Sequence, residues 1–397
     1  MPRQSIDTLL FATEYANIKI ANLTKDDLLL VQIPKGSTVC QVLTTNALKA
    51  APVLVAKQHL SKNKHPAYLL FNSGNANAAT GKRGIEDCFT ICAEVATLLG
   101  IHPHLILPYS TGVIGESMPL ERILPKLPSL VSKLGKASIE QAATAIMTTD
   151  TYPKHLSVHE TVDRHPTLIQ AFAKGAGMIH PNMATLLGCI SVQANCSLPI
   201  LKKIFKNAIK NTFNRITIDG DTSTNDSFVC VAIPHPTLTI STKKQQVELE
   251  SILTTHLNTL AMDIVRDGEG ATLIITIKIH KAKNYRQAEL VAQSIALSPL
   301  VKTAMHARDP NWGRIAAAIG KADQSIKMDK VSIAVNSIIC FSRGERDTKY
   351  QEHILKEKIA QGDICIDVYL NQGNASFSYQ TCDLSAEYVR INADYRT

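Results

Sequence analysis

Short runs of apolar residues, bounded by turn-forming residues, recur along the chain. Three of them, "DDLLLVQI" (26–33), "STVCQVLTT" (37–45) and "PAYLLFN" (66–72), are too short for helices and are typical of extended segments. Two later runs, "ATLIITIKI" (271–279) and "VSIAVNSIIC" (331–340), are rich in β-branched residues. The pattern predicts buried strands in both halves of the chain.

Between these runs, apolar residues recur at helical spacing. "IEDCFTICAEVATLLG" (85–100) ends in glycine, a common stop signal. "SLPILKKIFKNAIKNTF" (197–213) offers Ser197 as N-cap and Pro199 in the first turn, and "QQVELESILTTHLNTLAMDIV" (245–265) predicts a long amphipathic helix. Together the elements predict a mixed α/β fold. No GxGxxG follows a first strand and no GxxxxGK[ST] occurs, so no motif supports a nucleotide-binding fold.

Segments dense in Gly, Asn, Asp, Ser and Thr interrupt the predicted elements. Such residues favour turns, and a plain core does not need them. Because several such segments occur in one chain, we expect a functional site built from loops rather than a set of simple connectors. The segments are "NSGNANAATG" (72–81), "YSTGVIGE" (109–116), "KGAGMIHPNMAT" (174–185), "DGDTSTNDS" (219–227), "RDGEGAT" (266–272) and "RDPNWGR" (308–314).

With 397 residues, 45% of them hydrophobic, the chain is long enough for a sizeable core and for two or three domain-sized units. The N-terminal segment "MPRQSIDTLLFATEYANIKI" has no long apolar run after its basic residue, and no stretch is apolar enough to cross a bilayer. We therefore expect a soluble, cytoplasmic protein with no membrane partner.

The net charge of +8 is moderate. A group of lysines shares one face of the predicted helix at 197–213, which indicates a solvated helix face rather than a nucleic-acid surface. These lysines are Lys202, Lys203, Lys206 and Lys210. A pocket for small carboxylates is compatible with the charge.

The nine cysteines are scattered, their number is odd and no CxxC occurs. They predict neither a disulfide framework nor a zinc site, and we expect most of them to be small buried side chains. Two histidine pairs, His102 with His104 and His155 with His159, have spacings that a metal could use, but no acidic or thiol partner accompanies them. We predict no metal site.

Thr185 lies at the junction between a Gly-rich segment and an apolar run, directly after Ala184. If the chain were cut before Thr185, its new α-amine could remove the proton from its own hydroxyl. An α-amine has a pKa of roughly 8, which suits a general base near neutral pH. Ala-Thr pairs are common, however, and on the residues alone a threonine that begins a buried strand is the simpler interpretation.

The sequence resembles the ornithine acetyltransferase family, also called arginine biosynthesis bifunctional glutamate N-acetyltransferase. The resemblance runs almost end to end and includes the loops above. Further matching segments are "TTNALKAAPV" (44–53), "MTTDTYPK" (147–154), "DIVRDGEGAT" (263–272), "DPNWGRI" (309–315) and "YVRINADYRT" (388–397). Any one of them could arise by chance, whereas all of them in this order form a specific signal.

The resemblance implies a layered α/β fold and a precursor that cuts itself between Ala184 and Thr185. The α chain would be 1–184 and the β chain 185–397, assembled as two of each. Thr185 would accept an acetyl group from N2-acetylornithine and pass it to glutamate in ping-pong transfer, within arginine biosynthesis. The family uses no metal or bound cofactor, although some members accept acetyl-CoA as donor.

The resemblance also assigns roles to individual residues. Thr111 and Gly112 would form the oxyanion hole. The residues that would bind substrate, besides Thr185, are Thr151, Lys174, Glu269, Asn392 and Thr397. We further expect "YVRIN" to be a strand that anchors the C-terminal tail, Trp312 to be structural, and Arg314 to pair with Asp309.

Two other functions fit the same residues. An amidase or aminopeptidase with an N-terminal threonine would use Thr185 in the same way, but water would resolve the ester. A non-catalytic binding protein would keep the fold and stay uncut. Four features depart from the family pattern: the N-terminal segment "FATEYANIKI" (11–20) lacks the usual glycines, Ala79 stands where cysteine is common, His180 stands where a small residue is usual, and Leu273 stands where lysine is common. We expect His180 to affect the rate of self-cleavage and Leu273 to affect substrate preference.

Overall fold

The computed structural model describes residues 7–18, 25–63, 65–180 and 186–394. Contacts between Cα atoms divide the chain into two compact units. Within the described residues, unit 1 comprises 7–214 and 221–264, and unit 2 comprises 215–220 and 265–394. Unit 1 contains sequence on both sides of the predicted cut, so the units do not coincide with the predicted α and β chains, which stay a prediction.

The strands of the described residues are numbered in chain order. They are β1 Leu10–Glu14, β2 Leu28–Gln32, β3 Thr38–Leu43, β4 Tyr68–Asn72, β5 Ile106–Ser110, β6 Lys154–Val162, β7 His165–Lys174, β8 Leu187–Gln193, β9 Asn195–Cys196, β10 Ile216–Thr217, β11 Ser227–Ile233, β12 Thr239–Ile240, β13 Ile274–Ala282, β14 Ser332–Val335, β15 Ile338–Ser342, β16 Glu345–Arg346, β17 Ile364–Tyr369 and β18 Ala375–Cys382.

The α-helices of the same residues are numbered likewise. They are α1 Ala51–Lys62, α2 Gly81–Leu99, α3 Leu120–Ile123, α4 Leu127–Ser132, α5 Ile139–Ala145, α6 Leu198–Asn211, α7 Lys243–Arg266, α8 Tyr285–Ala296, α9 Pro299–His306, α10 Trp312–Ala322, α11 Glu352–Ile359 and α12 Ala386–Asp394.

Unit 1 contains two main sheets that pack face to face. The first has the order β1-β2-β4-β5 and the second β3-β11-β8-β7-β6. Alternate residues of β2 face different layers, because side chains alternate across a strand. Leu29 and Val31 lie in the core between the sheets, where Phe71 and Phe172 meet edge to face with ring centroids 5.8 Å apart. Both faces of β2 are therefore buried, which accounts for its unbroken apolar run.

Helices cover the outer faces of both sheets of unit 1. On the first sheet, Val95 of α2 and Leu130 of α4 pack with the outward side chains of β2. On the second sheet, Phe205 of α6 contacts Phe228 of β11, with ring centroids 5.8 Å apart. Unit 1 is thus an α/β/β/α sandwich, and the predicted mixed α/β fold with layered sheets and helices is confirmed.

Unit 2 is built on a mixed sheet of order β10-β18-β13-β17-β14-β15-β16. Strands β13 and β17 run parallel, while β13 with β18 and β14 with β17 run antiparallel. Its core joins sheet side chains such as Ile277 and Val368 with Val291 of α8 and Ile319 of α10. Trp312, at the start of α10, packs on Phe341, which confirms its structural role.

Most predicted elements are observed, and three expectations need correction. "VSIAVNSIIC" is a hairpin, β14 and β15, because Asn336 and Ser337 adopt positive φ and turn the chain. "YVRIN" is part of helix α12, not a strand. Arg314 does not pair with Asp309; its Nη1 donates to the Leu300 carbonyl at 2.7 Å. Among the described helices, none is long and apolar enough to span a membrane.

The cysteines and the lysines of α6 behave as predicted. All nine cysteines are free and all but Cys365 are buried. Ser197 precedes α6 with extended backbone, as predicted for an N-cap, but its side chain makes no capping hydrogen bond. The lysines named for α6 are exposed on the face opposite its buried apolar side chains.

Candidate active site

The predicted oxyanion pair lies directly after β5, where the buried strand leaves the first sheet of unit 1. The Thr111 N–H donates to the Asn72 carbonyl at 3.0 Å, and the Val113 N–H donates to the Gly74 carbonyl at 3.2 Å. Gly112 between them has φ +129°, and a Cβ there would lie 2.2 Å from the carbonyl carbon of Gly74. The loop 72–81 and the turn after β5 therefore approach each other so closely that this position requires glycine.

Two hydrogen-bond donors remain available at this turn. Among the described residues, neither the Thr111 hydroxyl nor the Gly112 N–H has a hydrogen-bond partner. Both residues are half-buried, so the donors are partly shielded from water. Such fixed donors can stabilise an oxyanion, because they need no reorganisation when negative charge develops.

Asp150 is the centre of a buried charge cluster in unit 1. Its Oδ1 accepts from Lys154 Nζ at 2.9 Å and from the Gly175 N–H at 2.6 Å. Its Oδ2 lies 3.9 Å from Lys174 Nζ and accepts from the Thr148 N–H at 3.0 Å. Burial alone would raise the pKa of Asp150, but the charges of Lys174 and Lys154 and the hydrogen bonds lower it to about 2.

Two predicted substrate residues adjoin this cluster. Thr151 follows Asp150 and is exposed, whereas Lys174 ends β7 and is buried. In the antiparallel pairing of β7 with β8, Lys174 lies opposite Leu187. Lys174 is thus held beside the backbone that begins two residues after Thr185.

Residues 222–227 join the other loops of unit 1. Asn225 Nδ2 donates to the carbonyls of Ala76 at 2.6 Å and of Ser110 at 2.8 Å. The Thr222 hydroxyl donates to the His180 carbonyl at 3.0 Å. The four segments containing Ala76, Ser110, His180 and Asn225 were each identified in the sequence as possible site loops, and the structure brings them into contact.

A second group of predicted residues lies in unit 2. Asn392 Nδ2 donates to Glu269 Oε2 at 2.7 Å, and Glu269 is buried while Asn392 is exposed. The adjacent Gly270 has φ +69°, and a Cβ there would lie 2.6 Å from Ser385 Oγ. Glu269, in the loop after α7, and Asn392, on helix α12, are therefore in direct contact.

The loop that carries Glu269 is held by Asp383. Its carboxylate accepts from the N–H groups of Thr272 and Leu273 and from the Thr272 hydroxyl, and it lies 2.7 Å from His306 Nδ1. Burial acts to raise the pKa of Asp383, but these hydrogen bonds lower it overall. The Leu273 side chain packs in the core of unit 2, where an apolar residue fits.

Other predicted residues lie outside the described part of the chain. Ala184, Thr185 and Thr397 are among them, so their predicted roles rest on the sequence. Within the described residues, no group of three or more His, Cys, Asp or Glu side chains could hold a metal ion.

Several residues that organise the site were not identified from the sequence. Asp150 and Lys154 flank Thr151 in "MTTDTYPK", and their spacing of four residues was the available signal. Asn225 and Asp226 end "DGDTSTND", where they look like ordinary turn residues. Nothing in the sequence marked Lys25 as a residue of the site. In the structure its amine donates to the carbonyls of Thr144 and Met147, and burial lowers the pKa of that amine to about 8.

Fold and site together define a layered α/β protein. The loops of its unit 1 carry both the possible oxyanion donors, at Thr111 and Gly112, and the buried charge cluster around Asp150. The sequence matches the ArgJ family over residues 10–397. The chain belongs to the ArgJ family.

Named relatives match over nearly their whole length. The arginine biosynthesis bifunctional protein ArgJ of Methylococcus capsulatus is 44% identical over 95% of this chain and 93% of its own. That of Neisseria meningitidis serogroup A is 42% identical over 99% of this chain and 96% of its own. A crystal structure of the protein of the same name from Bacillus halodurans is 35% identical, covers 52% of this chain and 97% of that chain, and has a TM-score of 0.48.

Proposed function

We propose that this chain transfers an acetyl group from N2-acetylornithine to glutamate through an acetyl ester on Thr185. Membership of the ArgJ family over residues 10–397 supports an acetyltransferase of arginine biosynthesis. The observation that carries the proposal is the pairing of Lys174 with Leu187. It fixes a buried cation beside the backbone that follows Thr185, within the loops that also hold Thr111 and Gly112.

The precursor first cuts itself before Thr185. The Thr185 hydroxyl oxygen attacks the carbonyl carbon of Ala184, the peptide C–N bond breaks, and the nitrogen takes up the hydroxyl proton. Water then cleaves the Ala184 ester, which leaves a carboxylate on 1–184 and a free α-amine and hydroxyl on Thr185. Cleavage thereby creates a nucleophile and its own base on one residue.

Acetyl transfer then proceeds in two half-reactions. The α-amine removes the proton from the Thr185 hydroxyl, whose oxygen attacks the acetyl carbonyl of N2-acetylornithine. The oxyanion accepts hydrogen bonds from the Thr111 hydroxyl and the Gly112 N–H. The amide C–N bond breaks, the proton passes to the leaving nitrogen, and ornithine departs. The neutral amine of glutamate then attacks the ester carbonyl carbon, the bond between that carbon and the Thr185 oxygen breaks, and a proton passes from the glutamate nitrogen through the Thr185 α-amine to that oxygen. N-acetylglutamate departs and the Thr185 hydroxyl is restored.

Substrate binding follows from charge. Both amino-acid substrates carry carboxylates, and Lys174 supplies a buried cation for them, while Asp150 fixes its position at 3.9 Å. Thr151, exposed beside Asp150, adds a hydroxyl. The Glu269 carboxylate and the Asn392 amide suit the ammonium and carboxylate ends of ornithine. The role of Thr397 remains a prediction from the family resemblance.

Assembly, location and donor range are also proposed. The cut chains 1–184 and 185–397 stay together as two of each, in the cytoplasm. The enzyme needs no metal and no bound cofactor, and acetyl-CoA is a possible second donor. In the amidase alternative, water instead of the glutamate amine attacks the acetyl ester on Thr185 and releases acetate.

A donor comparison tests the proposed function. Purified wild-type enzyme is given glutamate with either N2-acetylornithine or acetyl-CoA, and N-acetylglutamate is measured beside Thr185→Ala. We expect transfer from N2-acetylornithine by wild type and none by the uncut variant. Acetate release from N2-acetylornithine that does not depend on glutamate would favour the amidase. An uncut Thr185→Ala protein with full transfer would overturn the proposal.

A further inference from the structure

Lys25 is a half-buried lysine, just before β2, that the acetyl-transfer scheme above does not use. Its Nζ donates to the Thr144 carbonyl at 3.0 Å and to the Met147 carbonyl at 2.6 Å. These carbonyls lie at the C-terminal end of α5, where helical carbonyl groups lack partners within the helix. A cationic side chain is a favourable partner there, because it also complements the helix dipole. Lys25 therefore caps α5, although it lies 119 residues before Thr144 in the sequence.

The turn held in this way leads directly into the charge cluster of unit 1. Thr148, the first residue after the second carbonyl, donates its N–H to Asp150 Oδ2 at 3.0 Å. Asp150 Oδ1 accepts at 2.6 Å from the N–H of Gly175, the residue after Lys174. The other carboxylate oxygen lies 3.9 Å from Lys174 Nζ. A shift of the turn would therefore move Asp150, and with it the support of Lys174.

The oxyanion turn is held by other hydrogen bonds, which do not involve the amine. The Ser73 N–H donates to the Asp27 carbonyl at 2.9 Å, and the Ser73 hydroxyl donates to the Ala145 carbonyl at 2.8 Å. Ser73 lies next to Asn72, whose carbonyl accepts from the Thr111 N–H. Removal of the amine should therefore disturb the segment that carries the substrate residues more than the oxyanion turn.

The Lys25 amine also lies within electrostatic range of the buried charge cluster. Burial lowers its pKa to about 8, the charge of Lys174 acts in the same direction, and the charges of Asp150 and Asp27 act against it. The amine and the cluster thus share one region of unit 1. An ammonium group and a neutral amine both carry enough N–H groups for two carbonyls, so the capping role does not require the charge.

We propose that Lys25 is a positioning residue for substrate binding: its two hydrogen bonds to the end of α5 fix the turn that places Thr151 and Lys174. This inference rests on the proposed function, since it takes those two residues as substrate contacts. Lys25 acts through Asp150, which directly precedes Thr151 and pairs with Lys174. Its loss should weaken the binding of N2-acetylornithine and of glutamate, because both carry the carboxylate that Lys174 is proposed to bind.

Two substitutions of Lys25 separate the hydrogen bonds from the rest of the side chain. Lys25→Met keeps a similar length but has no donor, whereas Lys25→Arg keeps several N–H donors for the two carbonyls. Arg308→Met is the matched control in unit 2. Arg308 Nη1 donates to the carbonyls of Ile359 at 3.0 Å and Gly362 at 2.6 Å, at the end of α11.

Steady-state kinetics on fully cut enzyme give kcat and KM for N2-acetylornithine and for glutamate. We expect Lys25→Met to raise both KM values about tenfold while kcat stays within about threefold of wild type, since binding is affected more than the transition state. Lys25→Arg should recover most of that loss, and Arg308→Met should keep both KM values within about twofold of wild type. A residue that merely stabilised the fold would change the free energy of unfolding without moving KM.

Three outcomes would overturn the inference: a folded Lys25→Met enzyme with both KM values within about twofold of wild type, a folded Lys25→Arg enzyme as impaired as Lys25→Met, or an equal rise in KM for Arg308→Met. Circular dichroism checks folding. If Lys25→Met does not fold, Lys25→Gln, whose side chain is shorter than that of lysine, decides by the same KM criterion. Wild-type protein without acetyl transfer would defeat the proposed function itself, whereas a normal KM in Lys25→Met would defeat this inference alone.

Discussion

Lys154 Nζ lies 2.9 Å from Asp150 Oδ1, and neither side chain is exposed to solvent. Lys174, with 9% of its side chain exposed, approaches the other oxygen of the same carboxylate. A charge buried to this extent is stable only while it is paired and hydrogen-bonded. The conformation around Thr151 and the position of Lys174 therefore both depend on the ionised Asp150.

Asp150→Asn should strongly destabilise the protein. The substitution keeps the shape but leaves the buried Lys154 without a carboxylate, which typically costs about 3–5 kcal/mol. Glu352→Gln is a matched control, because Glu352 and Lys356 are also four residues apart but more than half exposed. It should cost less than about 1 kcal/mol. The free energy of unfolding in urea measures both, and equal losses would contradict the buried-pair account.

Acid should remove the contribution of Asp150 selectively. Its pKa in the folded protein, about 2, lies below the ordinary value of 3.8, so its ionised form stabilises the fold above about pH 4. This stabilisation is lost as the pH falls from about 4 to about 2. We expect the difference in unfolding free energy between wild type and Asp150→Asn to narrow over that range. A difference that stays constant would show that Asp150 is not ionised in the folded protein.

The sequence was informative about elements and motifs because these depend on local patterns. The apolar run of β2, the glycine after α2 and the loop segments each carried their own signal. Helix α12 was mistaken for a strand because Tyr388, Val389 and Ile391 have high β propensity, which tertiary contacts overrode. In the structure Ser385 and Asn392 connect the start and the end of this segment to the Glu269 loop.

The contacts between loops could not be predicted, because they join residues far apart in sequence. Asn225 contacts Ala76 and Ser110, which are 149 and 115 residues away. Nothing in "DGDTSTNDS" distinguishes such a bridging residue from an ordinary turn residue. The lowered pKa of Asp150 likewise depends on Lys174 and Lys154, which only the fold brings beside it.

Thr111→Ala should impair chemistry more than binding. Loss of one oxyanion donor typically lowers kcat about 100- to 1,000-fold, and KM should change little because the donor acts mainly in the transition state. Thr97→Ala is the control, since that exposed hydroxyl only donates to the Ala93 carbonyl of its own helix. Steady-state kinetics on fully cut enzyme measure both. An unchanged kcat for Thr111→Ala would remove Thr111 from the oxyanion hole.

Glu269→Gln should weaken substrate binding without unfolding unit 2. The substitution removes the carboxylate but leaves an oxygen to accept from Asn392, which now does so at 2.7 Å. Loss of a charge-assisted hydrogen bond to the ornithine ammonium should raise KM for N2-acetylornithine about tenfold or more. Glu352→Gln serves again as control. A normal KM with altered stability would make Glu269 a structural residue.

The most direct test of the central claim is the site of acetylation. Enzyme is mixed with N2-acetylornithine without glutamate, quenched, and analysed by intact and peptide mass spectrometry. We expect a chain that begins at Thr185, one acetyl mass on that residue, and loss of the mass when glutamate is added. Acetyl label on any other side chain, or a chain that is never cut before Thr185, would contradict the account.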